Sequence, residues 1–457
     1  MLRAAIFLML LAARFTISID SASAAEFKGL GDLSGGIFSS QAFGVTFNGL
    51  GIVGVSTSGR GTEAFGWTAS TEIISLGDLP GGAIFSEARA IGVAGEGPII
   101  VGWSESSSGR EAFRWVEQGE TVTLSGLGDL PSGEFFSRAN GISADGGVIV
   151  GVGSSFTGRE AFRWTTGGGM VGLDDLPGGA FQSEATAISA DGQVIVGEAT
   201  SADGREAFRW AEDEMTGLGD LPGGVFFSRA AATSRDGAAV VGFSSSAQGS
   251  EAFLWTAGDG MTPLGDLPGG TFTSEATGIS GDGKIVIGQS SGASGLDGFI
   301  WDAGGGLRSI AAYLSADCGL ADELAGWRLT RPSAISDDGT TIVGWGSNPA
   351  NQLEAWMAVI HQPLVGDTND DQIVDIEDLN NVRNHFGGGG LGDTDGDADV
   401  DIDDLNNVRN DFGERNCTFS HPTPEPSSLV LLWLSAAASF LFRRPRLLFE
   451  HCSRRRI

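Results

Sequence analysis

From Ser183 to Leu221 the chain reads SEATAISADGQVIVGEATSADGREAFRWAEDEMTGLGDL, and Pro222-Gly223-Gly224 follows. Four short runs are separated by turn signals. Ser183 to Ser189 reads as a strand, Ala190-Asp191-Gly192 as a tight turn, and Gln193 to Ala199 as a second strand rich in Val and Ile. After Ala202-Asp203-Gly204-Arg205, Glu206 to Ala211 is a third strand. Asp213-Glu214 then turns into a fourth, Met215 to Leu221. Asp-Gly and Pro-Gly pairs between short alternating runs predict antiparallel strands joined by tight turns. No 3.6-residue periodicity in the repeat is long enough for a helix.

The same pattern recurs along most of the chain. Ile-Val-Gly or a variant ends at Gly54, Gly102, Gly151, Gly197, Gly242, Gly288 and Gly344, and the closing Trp recurs at Trp67, Trp115, Trp164, Trp210, Trp255, Trp301 and Trp356. A unit of this length cannot bury its own apolar residues, so the copies must pack on one another. Four strands in about 46 residues is the size of a propeller blade. The phase adds to this. The repeat region begins with a fourth-type strand, Phe27 to Leu33, and ends at Trp356 to Ile360 with a third strand and no fourth. The expectation is an all-β fold: a seven-bladed β-propeller over residues 26–361 whose N-terminal strand completes the last blade, leaving no terminal edge open. A β-solenoid is the alternative, although its usual period is shorter.

In Glu111-Ala112-Phe113-Arg114-Trp115, alternation places Phe and Trp on one sheet face and Ala and Arg on the other, so the aromatic face should fill the gap between blades. The recurring Asp of Leu-Gly-Asp-Leu (Asp32, Asp78, Asp129, Asp175, Asp220, Asp266) is expected to accept backbone N–H groups at the following turn. The competing reading is a ring of these Asp residues holding a cation in a channel. The Glu-Ala-Phe stretches at Glu63, Glu111, Glu160, Glu206 and Glu251, with degenerate forms at Asp297 and Glu354, make this unit resemble the HAF repeat of exported bacterial proteins. The resemblance covers about three quarters of the chain. It implies an exported β-rich repeat protein and supplies no catalytic residues.

Composition bounds the function. The chain has 457 residues, 73 of them Gly, and a formal charge of -31. That charge leaves no patch to neutralise phosphates, which excludes a nucleic-acid partner. All four histidines (His361, His385, His421, His451) follow the last repeat strand, which ends at Ile360, so imidazole is absent from the repeats as base or ligand. Catalytic residues are therefore expected to be none, although two carboxylates alone would suffice for a glycosidase. Repeat symmetry breaks most at the insertion Ser309 to Arg331, with Tyr313, Asp317, Asp322, Glu323, Trp327 and Arg328. It is the first place to look for ligand contact, against its reading as a long surface connection. Three cysteines (Cys318, Cys417, Cys452) make no disulfide framework. Cys318 is read as a small buried residue or one end of a pair with Cys417.

The sharpest chemical signal lies in residues 362–416. Side-chain oxygens fall at Asp367, Asn369, Asp371, Asp375 and Asp378, loop positions 1, 3, 5, 9 and 12; the pattern returns at Asp393, Asp395, Asp397, Asp401 and Asp404. Hard oxygens at this spacing wrap Ca²⁺, with the carbonyl of position 7 (Ile373, Asp399) completing each site, so two calcium ions are expected. Each loop leads into a matching helix, Leu379 to Asn384 and Leu405 to Asn410. The duplicated loop and helix, with no entering helix, resembles a type I dockerin, which implies docking to a cohesin-bearing partner. Gln372 and Ala398 replace the usual Gly at position 6. So small and acidic a domain should fold only with metal.

Both ends read as targeting segments. Residues 1–25 have an apolar run behind Arg3 and small residues before Glu26, as a signal peptide does. Residues 417–427 form a linker ending in Pro424-Glu425-Pro426. Residues 428–446 hold an apolar run stopped by Arg443 and Arg444, and 447–457 a basic tail. Motif, span and basic stop resemble the PEP-CTERM sorting signal of Gram-negative exopolysaccharide-producing bacteria, although the tail is longer than that pattern allows. The C-terminal segment then enters the membrane at least transiently, and the protein ends at the outer surface or in the matrix. The sequence thus points to an exported, non-catalytic binding or structural propeller, monomeric in its ring, meeting a cohesin-like protein, an exopolysaccharide or a surface protein. The alternative is a polysaccharide-active hydrolase or lyase with a dockerin appendage.

Overall fold

The computed structural model describes residues 25–95, 97–119, 121–360 and 376–385, together with Leu405 and Val408. The chain divides into two units, Met1–Phe419 and Ser420–Ile457, and the described residues belong to the first. The segments expected to be a signal peptide, calcium loops, linker and sorting tail lie outside the described residues, apart from Ala25, the helix after the first loop, and Leu405 and Val408. No helix among the described residues is long and apolar enough to cross a membrane.

Residues 25–360 are all-β, and antiparallel pairing divides their strands into seven consecutive groups within three sheets. The fourth group is representative: Gly178–Ile188, Ile195–Ser201, Arg205–Ala211 and Glu214–Gly217 pair in chain order. The last group consists of Arg328–Ile335, Thr341–Ser347 and Leu353–Val359. Its fourth strand is Glu26–Gly29, which pairs antiparallel with Leu353–Val359, Phe27 opposite Ala358.

Each first strand bulges near its middle, as at Ala185/Ala187. The glycine of Ile-Val-Gly makes room for that bulge. A Cβ on Gly54, Gly102, Gly151, Gly197, Gly242, Gly288 or Gly344 would collide with the carbonyl oxygen of Gln41, Glu87, Arg138, Glu184, Arg229, Glu275 or Arg331. The strand ends in a Ser-x-Asp-Gly turn. Asp191 Oδ1 accepts from Ser189 Oγ (2.6 Å) and Gln193 N (3.0 Å), and Gly192 takes φ +73°. These turns join neighbouring groups by backbone bonds. Val93 N donates to Ala144 O, Ala144 N to Ala190 O, Ala190 N to Arg235 O, Arg235 N to Gly281 O and Gly281 N to Asp337 O, at 2.9–3.0 Å. Asp338 N, in the last group, donates to Phe47 O in the first (3.4 Å).

Two further contacts recur between groups. Phe113 and Trp115 of the second group pack on Val53 and Ala64 of the first; Phe208 packs on Val150 and Ala161, and Phe253 on Val196 and Ala207. Bulky aromatics on one sheet meet alanines on the next, so adjacent sheets approach closely. Each buried aromatic contributes roughly 1.5–3 kcal/mol. Beside this contact a buried serine bridges the groups. Ala207 N donates to Ser228 Oγ (2.9 Å), and Ser228 Oγ donates to Gly219 O (2.5 Å). The same bridge joins Ala64 to Ser86, Ala112 to Ser137, Ala161 to Ser183 and Ala252 to Ser274; Ala355 of the last group donates to Ser40 of the first.

The insertion holds a helix the sequence did not predict: Ile310–Ala316 form α1, capped by Ser309, and bury Ile310, Tyr313 and Leu314, while Ala321, Asp322, Glu323 and Arg328 beyond it are exposed. Leu320 and Leu324 join the same core, and Trp327 meets Phe27 edge-on at 5.1 Å. The segment covers the last group, whose aromatic position is Trp356 and whose fourth strand comes from the far end of the chain. Cys318, behind α1, is disulfide-bonded to a partner outside the described residues. A second helix, α2 (Ile376–His385), carries Leu379 and Val382, which pack with Leu405 and Val408, the equivalent positions of the second copy.

Ser228→Ala tests the serine bridge. It strands a buried N–H and a carbonyl at a fully buried site, so denaturant unfolding should show a loss of about 1–3 kcal/mol. The exposed Ser108→Ala should stay within about 0.5 kcal/mol of wild type. Equal effects of the two would contradict the bridge.

Candidate functional site

The first strands of all seven groups converge on two adjoining cavities. The smaller, about 210 Å³, is bordered by an apolar belt that includes Val45, Ile91, Ile142, Ile188, Ile279 and Ile335. The larger, about 770 Å³, is polar, and lies within the size range of small-molecule sites. One residue per group rings it at the same repeat position, just after the bridging serine in the first six groups and after Thr330 in the last: Gln41, Glu87, Arg138, Glu184, Arg229, Glu275 and Arg331. The charges alternate around the ring. Seven positions cannot alternate without setting two like charges side by side, and the neutral Gln41 occupies the place between Arg331 and Glu87. Arg89 adds one more cation a step along the strand, so arginines outnumber glutamates in the cavity of a strongly acidic chain.

Ion pairing divides the ring in two. In the second to fourth groups each charge has an opposite charge beside it, while Glu87 Oε1, Arg89 Nε and Arg138 Nε make no hydrogen bond among the described residues. Glu87 pairs with Arg89, whose guanidinium also lies over the Phe43 ring at 4.6 Å. Glu184 accepts from Arg138 (3.1 Å) and Asn140 (3.0 Å). In the fifth to seventh groups Glu275 accepts from Gln289 (2.7 Å) rather than from an arginine. Arg331 donates only to the Gln289 amide oxygen (3.2 Å), and Arg229 makes no hydrogen bond or ion pair among the described residues. Burial holds the Arg331 guanidinium below the usual arginine range; Glu275 opposes the shift and Arg229 adds to it. Arginine keeps its proton, so the shift marks a desolvated cation. Two more donors line this arc without acceptors among the described residues, Trp345 Nε1 and Ser333 Oγ.

The cross-strand neighbours of the ring break the repeat. Opposite the seven ring residues stand Val55, Trp103, Val152, Glu198, Phe243, Gln289 and Trp345. The positions behind them on the third strand are uniformly Ala or Gly. Of these seven varying residues, Phe243 and Trp345 line the larger cavity.

The sequence-predicted residues lie elsewhere. None of Asp32, Asp78, Asp129, Asp175, Asp220 and Asp266 lines either cavity. Asp129 accepts from the backbone N–H of Leu130, Phe136 and Ser154, and Asp175 from Leu176, Gln182 and Thr200, a wider span than the following turn. In four other copies a serine takes the leucine N–H, as Ser104 does for Leu79. Gly153 and Ala199 replace that serine in the two copies where Asp takes over. Tyr313, Asp317, Asp322, Glu323, Trp327 and Arg328 line neither cavity. The calcium-loop residues Asp367, Asn369, Asp371, Ile373, Asp375, Asp393, Asp395, Asp397, Asp399, Asp401 and Asp404 lie outside the described residues. Of Asp378 only the backbone, within α2, is described. The described residues contain no cluster of His, Cys, Asp and Glu able to hold a metal.

No family model matches the chain, and no curated protein matches it by sequence. Among solved structures it is similar to TolB from Acinetobacter baumannii, at 11% identity and TM-score 0.38, covering 56% of this chain and 61% of that one. Hydrazine synthase from Kuenenia stuttgartiensis matches at 14% identity and TM-score 0.40, over 75% and 98% of the two chains. Oligogalacturonate lyase from Vibrio parahaemolyticus matches at 7% and 0.41, over 75% and 99%. All three are loose likenesses.

The most displaced carboxyl is away from the cavities. Glu117 is 5% exposed, both carboxylate oxygens lack partners among the described residues, and burial pushes its pKa up to about 7. A raised carboxyl pKa means the folded chain prefers the neutral form. Stability should therefore fall as pH rises from the ordinary value of 4.5 through about 7. Glu117→Gln should remove that fall in denaturant midpoints recorded from pH 4 to 8; an unchanged pH profile would contradict the assignment.

Proposed function

We propose that the chain is an exported, closed seven-bladed β-propeller that works as a non-catalytic binding module, with its ligand in the larger axial cavity. The observation that carries this reading is the pairing in that cavity: Glu87, Glu184 and Glu275 each have a partner. A carboxylate held by a guanidinium or amide is a poor proton shuttle, whereas the unmatched donors suit binding. The closed ring is supported by Glu26–Gly29 pairing with the last group and by the bonds from Ala355 to Ser40 and Asp338 to Phe47.

Beside the ring, residues 362–416 fold around two calcium ions as a dockerin-like domain that docks a cohesin-like partner or spaces the ring from the sorting tail. Support comes from the duplicated oxygen pattern and from Val382 and Val408 packing as equivalent residues. Signal peptide and tail place the protein at the outer surface or in the matrix. The rival reading, a hydrolase or lyase acting on polysaccharide, needs a carboxylate couple free for proton transfer.

Incubation of the purified chain with a panel of surface glycans separates the two. The binding reading expects retention without chain cleavage; released oligosaccharides would overturn it. Calorimetric titration of the metal-stripped chain should show two calcium sites, and one after Asp371→Ala. Absence of uptake would overturn the calcium assignment.

A further inference from the structure

The unmatched arc of the larger cavity has a definite chemistry. Arg229 and Arg331, from the fifth and seventh groups, flank Glu275 of the sixth, which is occupied by Gln289. Two cations therefore face one engaged carboxylate. Trp345 Nε1 and Ser333 Oγ add two neutral donors without acceptors. Leaving a buried donor unmade costs about 1–3 kcal/mol, and Trp345 Nε1 and Ser333 Oγ are two such donors, beside the Arg229 guanidinium with no partner among the described residues and the Arg331 guanidinium with one. Guanidinium pairs favour an oxyanion that accepts in bidentate fashion, a carboxylate or a phosphate.

The remaining lining narrows the class. Phe243 stands opposite Arg229 and Trp345 opposite Arg331 in cross-strand register, so each arginine has an aromatic neighbour. The rest of the wall offers hydroxyls and amides from Gln41, Asn140, Thr186 and Thr277, with no Leu, Ile, Val or Met. A fatty or peptidic acid would find no aliphatic surface there. A sugar acid matches every part: a carboxylate for the arginines, hydroxyls for the polar wall, and an apolar ring face for an aromatic side chain.

We propose that the axial cavity binds a hexuronate, with its carboxylate between Arg229 and Arg331. This rests on the binding-module reading and names its ligand class. The test is calorimetric titration of the full chain with glucuronate, galacturonate and short hexuronate oligomers, beside glucose and N-acetylglutamate. At least one hexuronate should bind, at least tenfold more tightly than glucose or N-acetylglutamate. Arg229→Met and Arg331→Met should each weaken binding tenfold or more while keeping the wild-type melting temperature within a few degrees. If either unfolds the chain, Arg229→Lys or Arg331→Lys replaces it and should show an intermediate loss, because the ammonium lacks the fork. Equal binding of N-acetylglutamate would overturn the sugar assignment, and undiminished binding by folded arginine variants would overturn the site. Retention of neutral glycans alone would overturn this proposal and leave the binding-module reading standing. Cleavage of a hexuronate oligomer would overturn that reading instead.

Discussion

The contact on which the rest depends is the one between neighbouring groups, where a Phe face meets an alanine face and a buried serine ties the two together. A single four-stranded group buries too little by itself. At the interface Phe208 reaches full burial against Ala161 and Val150, and the Ala161 amide has Ser183 as its partner. The serine serves both sheets at once, accepting from the alanine N–H and donating to a backbone oxygen of the preceding group. Because the bridge from Ala355 to Ser40 spans the two ends of the repeat region, the last interface is made like the others.

That interface also creates the cavity. The bridging serine fixes the first strand, the bulge beside the Ile-Val-Gly glycine tucks in the carbonyl of the next residue, and this next residue reaches the cavity. Seven equivalent positions thus meet around one space. Alternating Glu and Arg lets adjacent groups neutralise one another, as Arg138 and Glu184 do. The odd number of groups forces a neutral member, Gln41. Where Gln289 holds Glu275, that one carboxylate stands between two guanidiniums, Arg229 and Arg331, with no ion pair closed to either.

Much of this was legible in the sequence. Period-two alternation and Asp-Gly turns gave the strands, and Glu-Ala-Phe-Arg-Trp gave the aromatic face. The ring was readable in principle, since Ser-Glu-Ala and Ser-Arg-Ala alternate from copy to copy, but only when the copies are stacked in columns. Which charges pair depends on side-chain reach across a cavity, and no spacing rule reports that. Helix α1 escaped because seven residues carry too short a periodicity. Its cap at Ser309 and its burial over Trp356 come from tertiary contacts. The exchange of roles between Asp129 or Asp175 and the serine missing from those copies joins positions 25 residues apart. It becomes visible only once the strands are paired.

Native-state hydrogen exchange of the equivalent amides of Ala64, Ala112, Ala161, Ala207, Ala252 and Ala355 tests the closed arrangement most directly. Each is the donor to a serine of the next group. A closed ring predicts that all six exchange through the same cooperative opening, with Ala355 as protected as Ala161. Early exchange at Ala64 and Ala355, with protection rising toward Ala161 and Ala207, is the fraying of an open repeat array and would contradict it.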